Sequence, residues 1–310
     1  AWGGSTEVFE YLYDSELMNI YDRDNYGNTG LHVAVLNGQL TMLKYLYEDT
    51  DLGVDLLDKN KQGHTIVQLA VEGDHLEILQ FLKSVKVSMK GARKNGETVL
   101  HIAARSGSLE MVQFLVGCSL GVNDCDIHGK NTAHFACIGG SADILQFLLQ
   151  KGVKYQKKDD FGNSPVHFAC QKGHLECVQV LHAKGGINYQ DTDGFKRNAL
   201  HMATESGNKD LVSFICENGS IPSAKTRDQY SRAAINIAST KGMHEIVEYL
   251  LDRSEYLTEE SIVEKLPDET KTQLYNHRSS MRAKEEENKD KNGSDEDIQL
   301  IIKDDSDSKQ

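Results

Sequence analysis

Proline is almost missing from this chain, with 3 in 310 residues, and tryptophan occurs once. Glycine numbers 26, so the chain must turn often, and on positive-φ glycines rather than prolines. Cations are also in deficit, 34 Lys and Arg against 47 Asp and Glu, for a formal charge of -13. That balance argues against nucleic acid or anionic lipid as a partner, because both need clustered Lys and Arg. No stretch approaches the roughly 20 apolar residues that span a bilayer, and no charged start leads into an apolar signal core. The six cysteines, Cys118, Cys125, Cys137, Cys170, Cys177 and Cys216, form no CxxC pair and lack the dense spacing of a secreted disulfide framework. Reduced thiols in a cytoplasmic or nuclear protein fit this usage.

What the chain does contain is a repeat. The segments 96–116, 129–149 and 162–182 align without gaps at a spacing of 33 residues. One position of this frame is filled by His32, Gln68, His101, His134, His167, His201 and Asn236, at intervals of 36, 33, 33, 33, 34 and 35. Two residues further on, the frame holds Ala34, Ala70, Ala103, Ala136, Ala169, Ala203 and Ala238, small enough for short antiparallel helices to approach closely. Gly38, Gly107, Gly140, Gly173, Gly207 and Gly242 then stop the first helix, with Asp74 in this place in the second unit and Gly73 just before it. The second helix has apolar residues at helical spacing, for example Leu109, Val112 and Leu115. Neither helix buries enough surface to stand alone, so each unit must stack on its neighbours and share a continuous core.

With Ser164-Pro165-Val166-His167 opening its best-preserved unit, the pattern resembles the ankyrin repeat over roughly residues 1 to 253. The resemblance implies an all-α solenoid of stacked helix-turn-helix units with hairpin-like turns. It further implies that the recurring imidazole bonds backbone between adjacent units, and that partners bind on a concave face lined by turn tips and first-helix ends. Transferred position by position, the face comprises Tyr26, Asn28, Gln62 and His64, followed by Asn95, Glu97, Arg105, His128 and Lys130. It continues with Phe161, Asn163 and Lys172, and ends with Phe195, Arg197, Tyr230 and Arg232. Tyr26, His128, Phe161 and Tyr230 share one tip position, with Phe195 nearby in less certain register, and exposed aromatics are favoured interface anchors.

Residues 4–12 align with a second helix whose first helix is absent, so further repeats are expected upstream of Ala1. In the last unit Ala233-Ala234-Ile235-Asn236 loses both the cap hydroxyl and the imidazole, as suits an atypical terminal repeat. The repeat domain is expected over 1–257 and an acidic, mostly disordered tail over 258–310, with a short helix at 259–266. In that tail Ile298, Leu300, Ile301 and Ile302, followed by acids and serines, resemble a SUMO-interacting motif, whose logic is strand addition to a sheet edge.

Motifs with a chemical look give way to the frame. Gly91 to Thr98 has phosphate-loop spacing, but Glu97 stands where a lysine must neutralise phosphate, and the string falls in a turn between repeats. His244-Glu245-Ile246-Val247-Glu248 lacks the second histidine of a zinc helix. Cys137 and Cys170 take the small-residue position of Ala104 and read as packing. No catalytic, metal-ligating or cofactor-binding residue is assigned. The expectation is a monomeric, noncatalytic scaffold or adaptor for a protein partner. The alternatives are the recognition arm of a larger enzyme or channel, or a substrate adaptor for a ubiquitin ligase.

Overall fold

The computed structural model describes residues 6–15, 19–48, 53–219, 226–252, 267–272, 275–276 and 279. The helix expected at 259–266 and the tail run Ile298, Leu300, Ile301 and Ile302 lie outside the described residues. The chain divides into two compact units, Ala1–Asn188 with Thr192–Gly194, and Tyr189–Asp191 with Phe195–Gln310. No helix among the described residues is long and apolar enough to cross a membrane.

In the first unit α1 (Thr6–Asp14) precedes a series of helix pairs: α2 (Gly30–Leu36) with α3 (Leu40–Glu48), α4 (Ile66–Glu72) with α5 (Leu76–Ser84), α6 (Val99–Ser106) with α7 (Leu109–Gly117), α8 (Thr132–Gly139) with α9 (Ala142–Gln150), and α10 (Pro165–Lys172) with α11 (Leu175–Lys184). The first helices of successive pairs stack from α2 to α10, and the second helices α7, α9 and α11 form a parallel layer. The fully buried Ala34, Ala70, Ala103, Ala136 and Ala169 allow that first-helix stacking, while Leu79, Val112, Leu115, Leu145 and Leu148 fill the space behind it. As expected of a second helix, α1 packs on α3, with Phe9 edge-on to Tyr45 at 5.9 Å.

The second unit contains α12 (Ala199–Ser206), α13 (Lys209–Asn218), α14 (Ala234–Thr240) and α15 (His244–Asp252). The same contacts recur: α12 on α13, α14 on α15, α12 on α14 and α13 on α15. Beyond these pairs a helical stretch at 268–272 reaches α14, where the buried Thr270 shares a 2.5 Å hydroxyl contact with Ser239.

The first helices open with a cap built around the recurring position, which holds an imidazole in five of the seven repeats. In α6 the Thr98 N–H donates to His101 Nδ1 at 3.1 Å, and Thr98 Oγ1 accepts from the His101 N–H at 3.4 Å. Ser164 with His167 repeats the first bond at 3.1 Å. In His101 Nδ1 is an acceptor, so Nε2 carries the proton and donates across to the next unit, to Asp124 O at 2.9 Å. His134 Nε2 and His201 Nε2 lie against the corresponding kind of carbonyl, 3.2 Å from Asn163 O and 3.0 Å from Arg232 O, while their Nδ1 atoms also face the oxygens of Asn131 and Asn198 at 2.8 and 2.5 Å. The two departures from histidine keep the cap. Gln68 Oε1 accepts from the Thr65 N–H at 2.9 Å and Asn236 Oδ1 from the Ala233 N–H at 2.9 Å. The last unit thus loses its cap hydroxyl and imidazole but not the capping bond.

The helix stop also survives substitution. Gly107 closes α6 at φ 93, and Asp74 holds the same frame position at φ 57, a left-handed conformation that aspartate tolerates better than most side chains. The extra residue of the 34-residue interval lies in α11, which has 10 residues against 9 in α9. The register of Phe195 is therefore the regular one, since α12 starts after its cap Asn198, three residues before His201.

Burial disfavours the imidazolium, so His32, His101, His134 and His201 all titrate below their ordinary value, His134 at about 4. A folded-state value below the unfolded 6.5 means the unfolded chain binds more protons. Stability is then complete above the unfolded value and falls with pH through the interval down to the lowered folded value. Asp228 acts lower on the scale: burial pushes its carboxyl up, but the Arg232 backbone and side chain more than offset this and hold it below 3.8. Urea unfolding at pH 7.5 and 5 should show a loss at the acid end of at most about 1.4 kcal/mol per pH unit per histidine. His101→Gln, the residue nature places at 68, should reduce that loss, and an unchanged pH slope in this variant would refute the assignment.

Candidate functional site

The turns between units are built on one acidic side chain placed eight residues before the recurring imidazole. Asp159 Oδ1 accepts from the N–H of Phe161 at 3.0 Å and of Asn163 at 2.7 Å. Asp24, Asp126 and Asp228 make the same pair of bonds in their turns, and Asn60 makes it with its amide oxygen, to Gln62 and His64 at 3.0 and 2.8 Å. Arg93 breaks the series, and there the Glu97 N–H donates to Asn95 Oδ1 at 3.1 Å. This recurring, mostly buried Asp builds the turns beneath the tips and is not among the residues that the family pattern places on the face. Its signal was present at 24, 126, 159, 193 and 228.

The tips are also bonded to one another. In the first unit Lys61 N donates to Tyr26 O at 3.1 Å, Ile127 N to Asn95 O at 3.1 Å, Asp160 N to His128 O at 3.0 Å and Gly194 N to Phe161 O at 2.7 Å. In the second, Gln229 N donates to Phe195 O at 2.9 Å. Close approach restricts the residue after the bend: at Gly96, φ 77, a Cβ would lie 2.7 Å from Ile127 N. The string 91–98 is thereby an inter-repeat turn, closed by a bridge from Ala92 to Thr98. Lys196 and Ser231 hold the same left-handed conformation in the second unit, at φ 59 and 56, without glycine.

Pinning the backbone this way leaves one side chain per tip pointing away from it. Tyr26, Phe161, Phe195 and Tyr230 are 64, 51, 45 and 66% exposed. Gln62 is exposed at the same position, and Asn95 and His128 are half-buried there. His128 and Phe161 meet, ring centroids 5.8 Å apart, so these two tips form one aromatic surface. In the second unit each ring has a guanidinium above it, Arg197 over Phe195 at 5.3 Å and Arg232 over Tyr230 at 5.1 Å.

Several other face residues are committed to neighbours. Glu97 is buried, its carboxylate bonded to Arg93 at 2.8 Å and 3.5 Å from Arg105, while Arg93 also pairs with Glu72. Arg105, itself exposed, lies over Phe135 at 5.9 Å. Lys130 sits 3.8 Å from Asp126 and over Phe168. Arg197 pairs with Glu205 at 3.0 Å, and Arg232 with Asp228 at 2.7 Å. Asn28 bridges Asp24 and Asn60, and Asn163 gives its carbonyl to His134. His64 is half-buried, and burial together with the nearby Arg93 lowers its titration from the ordinary imidazole value. Lys172 is exposed at the end of α10.

Asp159 is buried, and its Oδ2 has no hydrogen-bond partner. Asp159→Ala leaves two turn N–H groups without an acceptor and should cost about 1–3 kcal/mol in urea unfolding. Asp159→Asn keeps Oδ1 and should cost well under half of that. Equal losses in the two variants would show that the paired bonds do not hold the turn.

Among known proteins, a family model described as ankyrin repeats in three copies matches residues 48–124, 117–193 and 184–260, and one described as ankyrin repeats in many copies matches 12–70. A search of curated proteins returns no match. Matches covering nearly all of 12–260 coincide with the helix pairs, capped imidazoles and bonded tips, and this chain belongs to the ankyrin-repeat family, whose arrays are protein-protein interaction modules.

Proposed function

We propose that the chain is a noncatalytic scaffold or adaptor that holds a protein partner on its turn-tip face. The observation that carries this reading is the recurrence of an exposed ring at one frame position in each unit, Tyr26 and Phe161 in the first and Phe195 and Tyr230 in the second, on turns bonded to a neighbouring tip. A surface already rigid before encounter loses little conformational entropy on binding, which favours affinity per contact. Charged face residues are committed to neighbours, Glu97 to Arg93, Arg197 to Glu205 and Arg232 to Asp228, so they stiffen the face, and the rings supply the anchors. Cytoplasm or nucleus is the compartment this reading goes with.

Phe161→Ala combined with Tyr230→Ala should reduce capture of native partners from lysate about tenfold or more, as for loss of interface anchors. Because both rings are largely exposed, the unfolding free energy should move by no more than about 0.5 kcal/mol. Tyr11→Ala, an equally exposed ring on α1, should leave capture unchanged. Undiminished capture by the double variant would remove the rings from the interface.

A further inference from the structure

The loops that follow α7 and α9 come together just before their turn tips, at a place where the repeats differ from one another. In the first two repeats the corresponding residues are an ion pair, Arg23 with Asp58 at 2.6 Å. Between the fourth and fifth they are Cys125 and Lys157, with Lys157 Nζ 2.8 Å from Cys125 Sγ. Two bonds from one asparagine hold the loops in this register. Asn123 Nδ2 donates to Gly152 O at 3.2 Å, and Asn123 Oδ1 accepts from Lys154 N at 2.8 Å. The thiol itself donates to Asn123 O at 3.4 Å, which orients the sulfur.

Access separates this thiol from others in the chain. Cys137, Cys170 and Cys177 are buried in the helix layers, and burial pushes the Cys170 thiol well up from its ordinary value. Cys125 and Lys157 are both partly exposed. Asn123 and Lys157 line an open groove of about 550 Å3 on the amine side of the pair; Cys125 is not among its lining residues, and its access rests on its own partial exposure.

We propose that Cys125 and Lys157 form an oxidant-dependent covalent cross-link between adjacent repeats. Hydrogen peroxide is the oxidant. Its O–O bond breaks as the sulfur takes one oxygen, giving Cys125 sulfenic acid and one water. Lys157 Nζ, after losing a proton to solvent, attacks the sulfur. The S–O bond breaks, an S–N bond forms, and the hydroxyl leaves with the second amine proton as another water. In sum, a thiol, an ammonium and one peroxide give a sulfenamide, two waters and a released proton. The sulfur is oxidised and the peroxide reduced. A thiol reductant returns both side chains to their starting state, so the link is a reversible tie between the two loops.

The test treats the full chain with hydrogen peroxide, blocks remaining thiols by alkylation, and maps the peptides by mass spectrometry. The expected result is a joined pair containing Cys125 and Lys157, lighter than the sum of its parts by two hydrogens and separated by dithiothreitol. Lys157→Arg keeps a cation beside the sulfur but offers no amine to attack. It should abolish the joined pair and leave Cys125 to proceed to the sulfinic acid, with an unchanged circular-dichroism spectrum showing that the fold is intact. Cys125→Ser should also abolish the pair. Sulfinic acid accumulating equally in the wild-type chain and Lys157→Arg, or Cys125 joined to another cysteine instead, would overturn the proposal.

Discussion

The architecture depends on one side chain being shared between neighbouring repeats. A helix of seven or eight residues, such as α4 or α6, leaves a large fraction of its backbone amides unpaired at its first turn. The imidazole at its third position answers one of those amides with Nδ1 and reaches the next turn with Nε2, as His101 does between Thr98 and Asp124. Local capping and repeat-to-repeat cohesion are therefore one interaction. It requires the neutral ring, because a proton on Nδ1 would turn the acceptor into a donor aimed at an N–H.

The tip face follows from that arrangement. Where the imidazole reaches the turn ahead of it, as His134 does, the buried Asp gathers the N–H groups inside the bend and the tips bond edge to edge. The residue that carries the first of the two bonded amides stands at the tip, and at Tyr26, Phe161 and Tyr230 its side chain is a large exposed ring. Stability and the proposed binding thus use different atoms of the same turn, which lets the exposed position vary while the Asp and the imidazole recur.

Most of the fold was legible because repetition exposes framework positions. Seven fillings of one slot by His, Gln or Asn can be read from sequence alone, as can the alanines two residues later. The Asp of the turn recurs nearly as often, but Asn60 and Arg93 interrupt it, and its role depends on bonds to amides two and four residues on, which no spacing reveals. Which face residues are spent on each other was hidden for a different reason. Glu72 and Arg93, or Glu205 and Arg232, stand in consecutive repeats, and only stacking brings them together. Cys125 and Lys157 were hidden for the same reason: their frame positions hold Arg23 and Asp58 elsewhere. The Phe195 register looked doubtful because the added residue could have fallen before α12, whereas it extends α11.

The most direct test of the shared side chain is nitrogen-15 NMR of the His101 ring across a pH titration. The account predicts a single neutral tautomer with the proton on Nε2 at pH 6.5, where an ordinary histidine is half protonated, and a titration midpoint displaced to lower pH. A ring that titrates at the ordinary value, or one protonated on Nδ1, would contradict it.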